Sequence, residues 1–151
     1  MIYKNILVAI DGSDIAKQAL NEALKFAKEQ SDVKLRLIHV IDSLFINWSM
    51  QPICPKTVHD SLKNSALEVL KEAETYTKAQ GVNNVETELI ELKTPDQRIA
   101  EAIAIEAHSW PANLLVVGTH GRRGFNEFVL GSVAIGVIKI ATVPVLLIRG
   151  Q

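Results

Sequence analysis

Short runs rich in valine, isoleucine and leucine alternate with segments of helical periodicity, and this alternation restricts the fold more than any other feature of the chain. The first, fourth and fifth runs are almost continuously apolar, as is typical of strands covered on both faces of a sheet. The third alternates apolar and polar residues, which predicts an edge strand with one wetter face. The five runs are NILVAI (5–10), KLRLIHVI (34–41), VETELIEL (85–92), NLLVVG (113–118) and VPVLLI (143–148).

Four helical patterns separate the apolar runs. The first two, within 16–28 and 58–73, repeat apolar residues at intervals of three and four. The third is predicted to start at TPDQ, where Thr94 and Gln97 can form a capping box. The fourth, SVAIGVIKIA (132–141), is apolar on nearly all sides and is therefore predicted to be largely buried.

Strands and helices in strict alternation predict an α/β fold, in which an open, five-stranded parallel sheet of Rossmann-like type carries helices on both faces. The length of 151 residues suits a single domain, 1–151. Such sheets bind ligands beyond the carboxyl ends of their strands, where the strand order reverses. The residues that follow the first, second and fourth runs are therefore the first candidates for a site.

Composition restricts the partners and the location. Sixteen Lys and Arg against 17 Asp and Glu leave no large basic field, so we expect no nucleic-acid partner. No apolar run approaches the roughly 18 residues of a membrane helix, so we expect no membrane partner. The one cysteine, Cys54, fits a reducing compartment, and the first residues lack the order of a signal peptide. A cytoplasmic location is the expectation.

The segment DGSD (11–14) follows the first run directly. The carboxylate of Asp11 can accept hydrogen bonds from a ribose hydroxyl or an adenine amine, or it can cap the next helix. Capping accounts well for Ser13 and less well for Asp11, because one cap is already present.

The segment GTHGRRGFNEFVLGSVA (118–134), after the fourth run, has the composition of a phosphate site. Its glycines permit close approach of the backbone and positive φ angles. The pair Gly131-Ser132 opens the fourth helix, whose free N–H groups and dipole favour an anion, and Ser132 can cap that helix or donate to a phosphate. His120, Arg122 and Arg123 add anion donors, although the arginines could instead serve solubility or a dimer contact. The simpler interpretation is a glycine-rich surface loop.

The connection after the second run, 42–56, is long and apolar, with Leu44, Phe45, Ile46, Trp48 and Met50. It could be a lid on a ligand, a partner surface or a loop folded back on the core. Three other kinds of protein are disfavoured. The chain has no GxxxxGK[ST] motif of a Walker A NTPase, no GxGxxG of a dinucleotide dehydrogenase in its first βα turn, and no nucleophile elbow of a Ser-His-Asp hydrolase.

The spacing Gly118-x2-Gly121-x9-Gly131-Ser132 resembles the nucleotide-binding signature of the universal stress protein family. ILVAIDGSD, LIHVI and VPVLLIRG resemble its first, second and last strands, so the resemblance covers essentially the whole chain. It implies the strand order 3-2-1-4-5, a homodimer through the last strand (143–148), and ATP as the ligand, with magnesium arriving on the nucleotide.

The same resemblance assigns roles by position. Asp11 would meet the ribose or adenine, and Val40 would line the adenine pocket through its backbone. The expected cofactor-binding residues are Asp11, Val40, Val117, Gly118, Gly121, Arg122, Gly131, Ser132 and Val133. Two departures from the common pattern, Thr94 and Asn113, lie away from the phosphate signature.

Three functions follow as hypotheses. The first is a regulatory stress protein that binds ATP. The second is a slow ATP hydrolase, for which His120 is the one nearby candidate for a base. The third is a dimeric scaffold that binds no nucleotide and acts through the apolar loop.

Overall fold

The computed structural model describes residues 3–43, 55–120 and 130–150. Within these ranges the strands are β1 (Asn5–Ala9), β2 (Lys34–Ile41), β3 (Val85–Glu91), β4 (Leu114–Gly118) and β5 (Val145–Ile148). The helices are α1 (Asp14–Glu29), α2 (Pro55–Ala79), α3 (Ile99–Ser109) and α4 (Ser132–Ile140).

All five strands are parallel and follow the order β3-β2-β1-β4-β5, so the predicted sheet and its order are confirmed. The chain leaves β1 toward β2 on one side and returns to β4 on the other. The order therefore reverses between β1 and β4, whose carboxyl ends lie next to each other. Ligands of open α/β sheets bind at such a reversal.

The sheet separates two buried apolar clusters. One lies under α1 and α2 and contains Val8, Leu37 and Val116. The other lies under α3 and α4 and contains Leu7, Ile103 and Val137. Neighbouring residues of one strand enter opposite clusters because side chains alternate across a strand. Since both faces are covered, β1 and β4 read as continuous apolar runs.

The predicted start of α3 is wrong. The helix begins at Ile99, after Arg98 at the N-cap, and no side chain caps it. Thr94 instead forms a hydrogen bond with the Asp96 carboxylate, which lowers the pKa of that group. The side chain of Gln97 accepts a hydrogen bond from the backbone of Lys93 at 2.8 Å. TPDQ thus forms a separate turn before the helix.

The predicted burial of α4 is also wrong in part. Ala134 and Val137 are buried against the sheet, but Ile135, Ile138 and Ile140 are 38%, 48% and 42% exposed. The neighbouring β5 is half-buried along its length and forms an edge of the sheet, so the prediction that this strand is covered on both faces is wrong. β3 forms the other edge, as its alternating sequence predicted.

Candidate functional site

The turn between β1 and α1 is built by two side chains. The Asp11 carboxylate accepts a hydrogen bond from the Ser13 backbone N–H at 2.9 Å. Ser13 is the N-cap of α1, and its hydroxyl accepts from the Ala16 N–H at 3.2 Å. Asp11 is half-buried at the carboxyl end of β1. It therefore has a structural role in the turn, and it also lies at the edge where a ligand would bind.

Thr119 joins the end of β4 to the start of α4. Its backbone N–H donates to the Ile148 carbonyl at 2.9 Å, and its carbonyl accepts from the Gly131 N–H at 2.7 Å. These bonds bring the first glycine of the signature, Gly118, close to the last glycine, Gly131. The structure thus places the two described ends of the signature together at the carboxyl end of β4.

The residue at the N-cap of α4 supplies no side-chain cap. The N-cap is Gly131, which has no capping side chain, and Ser132 is already the first helical residue. The prediction that Ser132 could cap the helix is therefore wrong. The helical ladder begins with the Ile135 N–H, which donates to the Gly131 carbonyl at 3.0 Å. The N–H groups of the first turn precede that ladder, and such groups favour anions.

The two described glycines of the signature are needed for close packing rather than for positive φ. Gly131 has a φ of −65°, and a β-carbon there would lie 3.2 Å from the Thr119 carbonyl oxygen. A β-carbon at Gly118 would lie 2.4 Å from Cγ2 of Ile15, on the first turn of α1. The positive φ angles among the described glycines belong to Gly12 and Gly81.

Three valines of the expected site lie around this region. Val117 is fully enclosed in the cluster under α3 and α4, so its side chain is unavailable to a ligand and only its backbone could contact one. Val40, near the end of β2, and Val133, in the first turn of α4, are half-buried against the same cluster.

Gly121 and Arg122 lie outside the described residues, as do Arg123 and the apolar loop residues 44–54.

Sequence reasoning missed one polar group at this site. Thr119 is 3% exposed, and its hydroxyl has no hydrogen-bond partner among the described residues. Nδ1 of the neighbouring His120 is also buried and unpaired within the same part of the chain. Threonine after a strand is too common for its sequence position to indicate this, and only the burial makes the group conspicuous.

A group of charged side chains lies at the opposite end of the sheet. Arg36, at the beginning of β2, forms salt bridges with Glu86 at 2.8 Å and with Glu106. Its guanidinium lies 5.4 Å from the ring centroid of Trp110. Burial acts to raise the pKa of Glu86, but hydrogen bonds from Lys34 and Arg36 outweigh it and lower that pKa. The same carboxylates raise the pKa of Arg36 against its own desolvation.

No helix within the described ranges is long and apolar enough to cross a membrane. The same ranges contain no group of three histidine, cysteine or acidic residues that could hold a metal ion.

The chain is similar over its whole length to known proteins. It is 33% identical over 151 residues to a protein of Staphylococcus haemolyticus named as a universal stress protein. The alignment covers 100% of this chain and 87% of the relative. A Staphylococcus aureus protein named in the same way is 35% identical over 149 residues, or 99% and 86% of the two chains.

Solved structures agree with the fold. One from the universal stress protein family of Burkholderia pseudomallei is 29% identical, with a TM-score of 0.78 over 99% of this chain and 98% of that one. The Archaeoglobus fulgidus universal stress protein in complex with dAMP is 25% identical, with a TM-score of 0.68 over 99% and 100%. A universal stress protein in complex with cAMP, 23% identical with a TM-score of 0.71 over 99% and 98%, supports the fold alone.

The sheet order and the helix start beside the end of β4 define an open α/β protein of the Rossmann-like class, with its candidate site at the reversal of strand order. The sequence model of the universal stress protein family matches residues 2–149. The chain therefore belongs to the universal stress protein family.

Proposed function

We propose that this protein binds an adenine nucleotide at the carboxyl ends of β1 and β4 and that binding has a regulatory role in the stress response. The observation that carries this proposal is the start of α4. There the N-cap residue is a glycine, which offers no side-chain cap to the first-turn N–H groups, and it lies directly beside the end of β4. A helix start of this kind attracts a phosphate through its N–H groups and its dipole.

The residues present fit a phosphate-bearing ligand. A β-carbon at Gly131 would lie 3.3 Å from Cα of His120, so the bare backbone there lets helix and loop approach each other. Asp11 lies at the neighbouring strand end and offers a carboxylate to hydroxyl or amine donors. The Archaeoglobus fulgidus relative was solved with dAMP, which supports an adenine nucleotide as the ligand class.

Within that class we propose ATP, accompanied by magnesium. Gly118, Gly121 and Arg122 would lie along the sugar and phosphates. Gly131, Ser132 and Val133 would hold the terminal phosphates through the start of α4, while the backbones of Val40 and Val117 would border the base. Magnesium would neutralise phosphate charge and would arrive with the nucleotide.

Calorimetric titration of the nucleotide-free protein with Mg-ATP, ADP, AMP and adenosine tests the proposal. We expect micromolar affinity for ATP that weakens as phosphates are removed. Gly131→Val should abolish binding, because its β-carbon would lie 3.2 Å from the Thr119 carbonyl oxygen and 3.3 Å from Cα of His120, so the start of α4 would have to move away from the end of β4. Ala79→Val, which adds the same side chain at the exposed end of α2, is the matched control. Unchanged ATP affinity in a folded Gly131→Val variant would refute the site.

We also propose a homodimer formed through β5. The strand is a half-buried edge, and Ile138 and Ile140 on the adjacent α4 are exposed, which suits an apolar partner surface. Ile138→Glu should raise the dimer dissociation constant at least about tenfold, as measured by sedimentation equilibrium. Ile105→Glu is the control, because Ile105 is exposed on α3. A monomeric wild type at high concentration would contradict the dimer.

We place the protein in the cytoplasm, in keeping with a single cysteine, Cys54, in the chain. The regulatory role is tested by deleting the gene in its host and measuring survival under starvation and oxidative stress. Equal survival of the deletion strain and its parent would argue against that role.

A further inference from the structure

The outer edge of β3 lies on the side of the sheet opposite to β5. Within residues 3–43, 55–120 and 130–150, no element pairs with the strand beyond this edge. At its two ends, the Leu35 N–H bonds to the Asn84 carbonyl and the Leu92 N–H bonds to the Ile41 carbonyl. Even-numbered residues along the strand therefore direct their backbone groups toward β2.

The odd-numbered residues form the open side of the strand. The N–H and C=O groups of Thr87, Leu89 and Glu91 point away from β2, because neighbouring residues of a strand direct their backbone groups to opposite sides. An unpaired row of such groups is a template for pairing with another strand. Extended peptides bind to exposed sheet edges in this way, as an added strand.

One face of this edge is bordered by an exposed apolar side chain. Leu67 of α2 is 44% exposed. It lies nine residues before Tyr76, so the two side chains point about 180° apart around the helix. Tyr76 points toward α1, where its hydroxyl donates to Asn21 at 2.8 Å. Since α2 packs on β2 and β3, Leu67 points away from α1 and toward the side on which the sheet ends.

Two lysines restrict which residues can lie beside Leu67. Lys63 and Lys71 stand about one turn before and one turn after it on α2, and both are exposed. An added strand would direct every second side chain toward this surface. Apolar side chains suit it, because they would contact Leu67, whereas basic ones would be repelled by the two lysines.

The other face of the edge is acidic. Ile90 packs against the cluster under α3 and α4, and strand alternation places Glu86 and Glu88 on the same face. Glu86 forms salt bridges with Lys34 and Arg36. Glu88 is exposed and takes part in no salt bridge within the described part of the chain. A basic side chain of an added strand would meet the carboxylate of Glu88.

A second copy of this chain is a poor occupant of the edge. In an antiparallel pair of β3 strands centred on Thr87, Glu86 would face Glu88 of the other copy. A pair centred on Glu88 would bring the two Glu88 carboxylates together. Like charges directly opposite each other destabilise a sheet, so the charge of the edge favours a different partner.

We propose that the β3 edge binds an extended segment of another protein in which apolar and basic residues alternate. The segment pairs with Thr87, Leu89 and Glu91, its apolar side chains lie beside Leu67, and its basic side chains lie beside Glu88. Association through β5 would leave this edge open. The inference does not depend on nucleotide binding.

A capped peptide of alternating valine and lysine, seven residues long like β3, is the probe. Fluorescence anisotropy of the labelled peptide should show saturable binding to the full chain. Replacing its lysines by glutamates should weaken binding about tenfold or more. Lack of saturation up to about 1 mM protein, or equal affinity for the two peptides, would overturn the inference.

Two methylated peptides test the strand pairing. One carries N-methyl groups on its valines and the other on its lysines, and only one of these sets of N–H groups can face β3 in an added strand. We expect one methylated peptide to lose binding. Retained binding by both would show that the peptide does not pair with a strand.

Substitutions of exposed residues test the two faces. Glu88→Lys should weaken binding of the lysine peptide about three- to fivefold and strengthen binding of the glutamate peptide. Glu72→Lys, an equal charge change at an exposed position of α2, is its control. Leu67→Asn should weaken binding about fivefold, and Ile105→Asn, at an exposed position of α3, should leave it unchanged. Equal effects within either pair would contradict the assigned contacts.

Hydrogen exchange locates the bound peptide. The amides of Thr87, Leu89 and Glu91 should exchange more slowly when the peptide is present. Slowing confined to Val145–Ile148 would place the peptide on the other edge and overturn the inference. Slowing at β3 that rises with protein concentration without peptide would show that a second copy occupies the edge, which would also overturn it.

Discussion

Ile15 and Gly118 are in direct contact, and the contact leaves no room for a side chain on the glycine: a β-carbon at Gly118 would lie 2.4 Å from Cγ2 of Ile15. This contact joins the first turn of α1 to the last residue of β4. It means that the first glycine of the signature is required by the packing of the fold, independently of any ligand.

Gly118→Ala should therefore destabilise the protein, by about 1–3 kcal/mol as for other overpacked sites. Ile15→Ala removes the clashing Cγ2 atom, so the double variant should lose less stability than the sum of the two single variants. Chemical denaturation of the four proteins measures this coupling. Additive losses would show that Gly118 is not restricted by Ile15.

Gly136→Ala is predicted to destabilise although it places alanine in a helix. A β-carbon at Gly136 would lie 2.5 Å from Cβ of Ala100, where α4 crosses α3. The gain in helix propensity is about 1 kcal/mol, whereas overpacking costs about 1–3 kcal/mol, so the loss is expected to prevail. The exchange Ala100→Gly/Gly136→Ala should bring the Tm back toward that of the wild type, and failure to do so would contradict the contact.

Ser13→Ala should weaken the start of α1. The hydroxyl of Ser13 accepts the Ala16 N–H, and loss of such an N-cap costs about 1 kcal/mol. Ser13→Asp retains an acceptor at the N-cap and is the matched control. The free energy of unfolding measured in urea distinguishes the two, and equal stabilities of the wild type and Ser13→Ala would exclude the cap.

Glu86→Gln should reduce the pH dependence of stability in the acid range. The folded-state pKa of Glu86 lies below its ordinary value of 4.5, because hydrogen bonds from Lys34 and Arg36 outweigh the opposing effect of burial. A lowered pKa stabilises the folded state above the unfolded-state value, and this contribution is lost as the pH falls through the folded-state value. Thermal unfolding from pH 6 to about pH 3 should show a shallower decline for Glu86→Gln. Parallel curves would contradict the shift.

The strands were predictable from their apolar runs, whereas the order of the sheet was predicted only from the resemblance to the universal stress protein family. Burial followed the runs in β1 and β4 but not in β5, whose continuous apolar run forms a half-buried edge. The burial of α4 was not predictable, because Ile135 and Ile138 have the same apolar character as the buried Val137. Which of these three side chains is covered depends on the position of α4 beside the edge strand β5, and this position is known only once the sheet is assembled. The turn at Thr94 was mistaken for a helix start because short-range capping patterns also occur in isolated turns.

Part of the candidate site was predictable in the same way. The glycine spacing and Asp11 were expected to share one edge of the sheet because residues after parallel strands meet there, and the structure places Asp11, Gly118 and Gly131 at that edge. The unpaired hydroxyl of Thr119 could not be inferred, since the burial of a side chain and the partners within its reach depend on the assembled fold. The roles of Gly121 and Arg122 remain predictions.

The two backbone bonds of Thr119 have a mechanical consequence. Its amide is tied to the last strand and its carbonyl to the start of α4, through bonds of 2.9 and 2.7 Å. The helix start therefore cannot slide along the sheet without breaking one bond or drawing the end of β5 with it. Thr119 acts as a stiff link through which a displacement at the helix start is transmitted to the outer edge of the sheet.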